Sequence, residues 1–339
     1  MYKFITTIRN LLFDKNIIKS KKYKKVFVLC VGNLRVGGTG KTPMVEYLLT
    51  NLKDKFPTAI VSLGYKRKTK GLKEITPQDD YLSVGDEPKQ MSTKFPKVKF
   101  FVNKDRNEAI DYIIKQYPNI QLVILDDAYQ YRKTTPTKTI LLTEYSRPFF
   151  EDKLLPYGRL RERQKEKRRA DYIVVTKSPN FVLENGNFIL EQRNKETENL
   201  NKEIRQRINV IKKGIDILPY QKLYFSTIKY SDSLLKLKKK NILLVTGIDN
   251  PRPLENYLHS FCNVKKVLKY PDHYNYLDKD ILHIKKLSKK YSALIVTTQK
   301  DAQRLQNRGI DFYVQDIEIQ IDNNFIKDIE DDIRKHFRG

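Results

Sequence analysis

A glycine-rich turn at Gly37, Gly38 and Gly40 runs directly into Lys41 and Thr42, and further along an apolar run ends on two carboxylates, Asp126 and Asp127. Small residues let successive backbone N–H groups converge on one anion, and a helix N-terminus adds partial positive charge at the same place. In such a turn Lys41 would reach the β- and γ-phosphates of a nucleotide, and the Thr42 hydroxyl would hold Mg²⁺. A carboxylate at the end of a neighbouring strand is the second part that metal-assisted phosphoryl transfer needs. The segment Val36, Gly37, Gly38, Thr39, Gly40, Lys41, Thr42 and Pro43 is therefore expected to line a nucleoside-triphosphate site. Arg35 stands where the strict pattern has a glycine, but Gly37-Gly38 supplies the flexibility instead. A second acidic pair, Asp86-Glu87 in LSVGDEP, suits an exposed turn opening a helix, where it could orient a substrate hydroxyl or a metal.

These residues need elements to place them. The continuous apolar run Val26 to Val31 reads as a buried parallel strand, and Met44 to Leu52 has helical spacing, giving strand, loop and helix around the glycines. Further strands are expected at 58–63, 99–102, 121–125, 140–142 and 173–176, with a helix from Arg106 to Gln116 between two of them. Residues 64–80 read as a basic loop near the carboxyl edge of the sheet, where open α/β sheets bind ligands. In LLPYGRLRE, Arg159, Arg161 and Arg163 bracket a Pro-Gly turn and could face phosphate, whereas the distal half of RERQKEKRR reads as a solvated helix. The strand at 173–176 ends in TKSP. A guanine-reading loop wants Asn/Thr-Lys-x-Asp, and Pro179 occupies the acid's place, so ATP is favoured over GTP. Strands at 223–230, 241–246, 264–268 and 293–297 repeat the apolar-strand, polar-turn, helix pattern. The expected fold class is α/β, with two α/β/α domains: residues 1–220, a P-loop NTPase-type unit with a mainly parallel sheet, and residues 221–339, a smaller unit that contributes to the active-site cleft.

The chain of 339 residues carries 66 Lys and Arg against 40 Asp and Glu, a net charge of +26. That excess favours anionic partners, whether nucleic acid, an acidic membrane surface or phosphorylated substrates. Two cysteines and four histidines with no CxxC spacing argue against a disulfide framework or a structural zinc site. No stretch approaches the ~20 apolar residues of a membrane span. At the N-terminus, Met1, Phe4, Ile5, Ile8, Leu11 and Leu12 share one helical face, and a run from Lys15 to Lys25 follows. An amphipathic helix beside such a cluster suits an anionic bilayer surface, and equally an ordinary helix packed on the domain.

Taken together, GNLRVGGTGKTP, the Gly64-Tyr65 turn, VGDEP, LDDAYQYR, LLPYGRLRE, GIDNP, PDHYNY and TQKDA resemble the tetraacyldisaccharide 4′-kinase family, the lipid A 4′-kinases of Gram-negative bacteria. The family also lacks the early glycine. Where it commonly has SRGYGR and DDGFQHR, this chain has SLGYKR and DDAYQYR, so Leu63, Lys66, Ala128 and Tyr131 depart from the usual pattern. The resemblance implies transfer of the γ-phosphoryl of ATP, with Mg²⁺, to the 4′-hydroxyl of an acylated glucosamine disaccharide 1-phosphate, giving lipid IVA. It implies a peripheral enzyme on the cytoplasmic face of the inner membrane, a glycolipid substrate, an anionic membrane surface as partner, no nucleic acid, and a monomer. By position it implies Asp86 as base, His273 orienting it, and Lys41 acting on phosphate. Thr42, Asp126, Asp127 and Glu87 fall around the metal, and Tyr65, Arg106, Gln130, Arg161 and Glu162 around the substrate. Two other classes fit parts of the pattern: a basic P-loop ATPase that binds nucleic acid, drawing on YKRKTK, and a nucleotide-switch chaperone, which has no use for GDEP or PDH.

Overall fold

A computed structural model describes residues 2–179, 181–184, 187–190, 195–248, 250–271 and 274–338. Chain order gives strands β1 (Phe27–Asn33), β2 (Thr58–Ser62), β3 (Lys73–Glu74), β4 (Lys99–Val102), β5 (Leu122–Asp126), β6 (Lys138–Glu144) and β7 (Tyr172–Thr176). A hairpin of β8 (Phe181–Glu184) and β9 (Asn187–Leu190) follows, then β10 (Lys222–Tyr230). The rest are β11 (Asn241–Thr246), β12 (Asn263–Lys269), β13 (Leu294–Thr298), β14 (Tyr313–Gln315) and β15 (Ile317–Ile321).

The first sheet runs β15-β10-β7-β6-β1-β5-β2-β4-β3. It is parallel except at its two edges, where β3 pairs antiparallel with β4 and β15 with β10. At its middle, every residue of β1 is buried, as a strand covered on both faces requires. Alternation along β1 divides its side chains between two layers. Phe27, Leu29 and Val31 pack with Met44, Leu48 and Leu52 of the helix Lys41–Leu52, while Val28 and Cys30 pack with Ala109, Ile110 and Ile113 of the helix Arg106–Gln116.

The second sheet, β12-β11-β13-β14, is parallel throughout. It is covered on one face by the helix Arg252–His259 and on the other by Asp278–Lys290.

The two sheets do not divide at residue 220. β10 lies beside β7 in the first sheet, and the chain then builds the whole second sheet before returning as β15. The closing helix Asn323–Arg338 places Phe325, Ile329 and Ile333, at four-residue spacing, in the layer that holds the helix after the glycine turn. The second unit is thus an insertion between two strands of the first. On its return β15 pairs antiparallel with β10, in register from Ser226↔Ile321 to Tyr230↔Ile317, and becomes the outermost strand of the first sheet.

Candidate active site

The carboxyl ends of β1, β2, β5 and β7 meet where the glycine turn enters the helix Lys41–Leu52. Gly37 (φ 110°) and Gly40 (φ 85°) adopt the left-handed conformations that favour glycine, and Gly40 caps the helix. A Cβ built on Gly38 would meet nothing within 4 Å, so open space lies against this backbone. Val36 N–H donates to Arg159 O at 2.8 Å, tying the turn to the LLPYGRLRE segment. Arg35, in the place of the missing glycine, is buried and pairs with Glu144 Oε2 at 2.8 Å, donating also to Arg147 O at 3.1 Å. It braces the turn from outside and leaves the inner side to small residues. Pro43 sits in the first turn of the helix, where its missing N–H costs no hydrogen bond.

Lys41 Nζ reaches across the turn to 3.6 Å from Asp127 Oδ2, and Arg161 Nη2 donates to Asp127 Oδ1 at 2.9 Å. Burial works to raise the Asp127 pKa, but Lys41 and Arg161 outweigh it and hold the carboxyl below its usual value. Its neighbour behaves oppositely. Asp126, the last residue of β5, is buried and pushed up to about 7, chiefly by burial and then by the charges of Glu87 and Asp127. Ser62 Oγ donates to Asp126 Oδ2 at 3.1 Å, while Oδ1 is buried with no hydrogen-bond partner.

The orphaned buried carboxylate oxygen of Asp126, with the Thr42 hydroxyl in the first turn of the helix Lys41–Leu52, is a fitting donor set for Mg²⁺. That ion takes one or two carboxylates and completes its shell with water and substrate phosphates. Among the described residues no group of three or more His, Cys, Asp or Glu is placed to hold a metal ion.

Opposite the glycine turn, Gly64 (φ 67°) and Gly85 (φ 95°) lie back to back. A Cβ on Gly85 would come within 3.1 Å of Gly64 Cα, so the GY and GDEP turns require glycine at both positions to approach. Exposed Tyr65 follows one glycine, with Lys66 Nζ over its ring; Asp86 and Glu87 follow the other, in the first turn of the helix Asp86–Lys94. Asp86 is paired with Arg304 of the inserted unit, a buried guanidinium that also lies 3.6 Å from Asp301. Glu87 Oε1 is 3.7 Å from Lys300 Nζ, and Gln90 Nε2 donates both to Glu46 of the glycine-turn helix at 3.0 Å and to Gln299 at 3.1 Å. The expected His273 lies outside the described residues.

Not every expected site residue faces the cleft. Glu162 is almost fully buried and serves as a hub, accepting from Arg9 at 3.2 Å, Asn10 at 3.0 Å, Gln130 at 3.4 Å and also from Arg169. Gln130 Nε2 also donates to Asn33 O at 2.8 Å, while its Oε1 is buried without a partner. Arg106 is buried with Nη1 on Lys104 O and its guanidinium 5.1 Å from the Tyr131 ring centre. Its charge is nevertheless felt at Asp127, and Arg161 is the arginine in contact there. The distal half of RERQKEKRR is not a solvated helix. Gln164–Arg169 is a short 3-10 turn in which Glu166 is buried and Arg169 lies over Tyr129, because Glu162 needs cations beside it.

Sequence reasoning passed over Asn33. This last residue of β1 donates to Thr39 Oγ1 at 2.6 Å and accepts from Arg161. A polar residue closing an otherwise apolar strand was the available signal. For Ser62 and Arg304 no local pattern marks a partner so distant in sequence.

The tetraacyldisaccharide-1-P 4′-kinase family model matches residues 1–334. The chain is similar to the tetraacyldisaccharide 4′-kinase of Bacteroides thetaiotaomicron, at 37% identity over all of this chain and 90% of that protein. It is also similar to that of Flavobacterium psychrophilum, at 37% identity over 91% of this chain and 85% of that one. Among solved structures it resembles the "apo" form of LpxK from Aquifex aeolicus in complex with ATP, with a TM-score of 0.73, 27% identity, and 99% and 96% of the two chains covered. The whole-length match, on a fold that brings GTGKT, DD and GDEP to one cleft, shows that the chain belongs to the tetraacyldisaccharide-1-P 4′-kinase family.

Proposed function

We propose that this protein transfers the γ-phosphoryl group of ATP to the 4′-hydroxyl of a tetraacyldisaccharide 1-phosphate, and that it does so as a peripheral enzyme on the anionic cytoplasmic face of the inner membrane. The observation that carries the chemistry is Lys41 Nζ 3.6 Å from Asp127, beside buried Asp126, at the mouth of the glycine turn. Phosphoryl transfer asks mainly for alignment and charge neutralisation. Lys41, the turn from Val36 to Pro43 and Arg161 supply cations and amides for the phosphate tail. Thr42 and Asp126, with Asp127 and Glu87 around them, would hold Mg²⁺, which neutralises charge on the phosphate oxygens. Asp86 takes the proton from the 4′-hydroxyl as that oxygen bonds to phosphorus and ADP leaves, with His273 orienting the base. Tyr65 and Gln130 belong to the acceptor side, while Arg106 and Glu162 act from behind, through charge and through the hub.

The membrane part of the reading rests on an inverted helix. In Tyr2–Asp14 the polar residues face the protein: Arg9 and Asn10 bind Glu162, and Arg132 binds Asn10 O and Asp14 at 2.9 Å each. Phe4, Ile5, Ile8 and Leu11 are left exposed, beside the run of lysines that follows. Among the described residues no helix is long and apolar enough to cross a membrane. Such a helix suits insertion into the headgroup region. On this reading the segment packs on the body by one side and offers lipid the other.

The test is incubation with γ-labelled ATP and a defined tetraacyldisaccharide 1-phosphate in mixed micelles. A labelled glycolipid supports the reading; label released only as inorganic phosphate would overturn it in favour of a simple ATPase.

A further inference from the structure

The TKSP segment resembles half of a base-reading loop, and its Thr-Lys pair has another occupation here. Thr176, the buried last residue of β7, has its Oγ1 2.9 Å from Thr39 O, to which it donates, and 3.2 Å from Thr143 O. The next residue, Lys177, takes a left-handed backbone conformation (φ 55°) that turns its side chain under the glycine turn. There its ammonium donates to Gly38 O and pairs with Glu144 at the end of β6. The other oxygen of Glu144 holds Arg35 at 2.8 Å. Two consecutive carbonyls of the turn, Gly38 and Thr39, are therefore gripped from behind by two consecutive residues. In a planar trans peptide the carbonyl and the following N–H point opposite ways. Drawing Thr39 O back thus sends the Gly40 N–H forward, to the side where the helix dipole and Lys41 converge on an anion. The Gly38 peptide is fixed in the same way, with its own N–H (that of Thr39) closed on Gly37 O at 3.0 Å.

We propose that Thr176 and Lys177 are positioning residues for the phosphate tail of the nucleotide, fixing the glycine turn from behind without reading the base. This rests on the turn being the nucleotide's phosphate site. Thr-Lys without an acid for guanine still has this use, because the pair shapes the cradle for any triphosphate.

The experiment uses the full chain with Lys177→Met and Lys177→Arg, binding ATP, GTP and inorganic triphosphate by calorimetry, then steady-state kinetics with the lipid acceptor. K177M is expected to weaken ATP, GTP and triphosphate by one common factor of about tenfold, as loss of a charge-assisted hydrogen bond does. The KM for lipid should stay within about twofold, and K177R should recover most of the affinity for phosphate. Lys177 is partly exposed, so K177M should fold, and an unchanged ligand-free Tm checks this. Thr176→Val against Thr176→Ser gives an independent pair that should show the same split. Weaker ATP binding with triphosphate unaffected, or an altered ATP-to-GTP preference, would overturn the proposal by making the pair a base reader. Equal loss of lipid KM would overturn it too, as would unchanged affinity throughout. Wild-type protein that binds neither ATP nor triphosphate would instead remove the nucleotide reading itself, and this one with it.

Discussion

The nucleotide side and the acceptor side of the cleft are built in different ways. On the nucleotide side, the glycine turn, Asp126 and Asp127 leave the carboxyl ends of adjacent parallel strands, β1 and β5. The acceptor side is assembled from segments far apart in the chain: Asp86 meets Arg304 of the inserted unit, and the N-terminal helix is held by Glu162. The lesson is one of division of labour. On the proposed reading, the sheet sets where phosphate binds, and contacts between distant segments set where the acceptor comes from.

The largest break in that comparison should come from the nucleotide side. Lys41→Ala is expected to lower kcat/KM about a thousandfold or more, because it removes the cation aimed at the transferring group, while leaving vesicle binding intact. A sedimentation assay beside the kinetics separates the two. Asp86→Asn should strike the acceptor side alone, lowering kcat about a hundredfold or more with the KM for ATP within about threefold. An equal loss of ATP affinity would move Asp86 to the nucleotide side.

Replacing exposed Phe4 and Ile5 together by Asp should reduce binding to anionic vesicles by about tenfold or more, since it removes apolar burial and adds repulsion, and should leave ATP affinity unchanged. Protein that still sediments with vesicles would assign the membrane role elsewhere.

The smallest effect is the most local. Asp126 sits at about 7 when its ordinary value is 3.8. A carboxyl with a raised folded value keeps its proton more tightly in the folded state. Its contribution to stability is therefore present below 3.8 and is lost as the pH climbs to about 7. Ionisation is what a metal requires, so Mg²⁺ affinity of the nucleotide-free protein should rise between about pH 6 and pH 8, with proton release on binding at the lower end. Calorimetry in two buffers of different ionisation enthalpy reads that proton, and Asp126→Asn should abolish it.

How much of this was legible in the sequence follows the same division. The glycine turn, the strand leading into it and the acidic pair at the end of β5 are local: each is a run of neighbouring residues whose types and order state the chemistry. The α/β class was legible for the same reason, because buried parallel strands are continuous apolar runs. What the sequence did not disclose were pairings across long separations. Nothing near residue 220 announces that β10 belongs to the first sheet, since its partner β15 lies far along the chain. Glu162 looks like one more charge in a basic stretch until Arg9, Asn10 and Arg169 surround it. Arg35 looked like a flaw in the motif and is a buried brace tied to Glu144.

The most direct test of the whole account is the stoichiometry of the reaction with pure ATP, Mg²⁺ and a defined tetraacyldisaccharide 1-phosphate, counting ADP and phosphorylated lipid together. One ADP for each lipid phosphorylated at the 4′ position, with the acceptor required and Lys41→Ala silent, is the predicted result. ADP formed at the same rate with or without the lipid, or by the Lys41→Ala protein as fast as by the wild type, would contradict it.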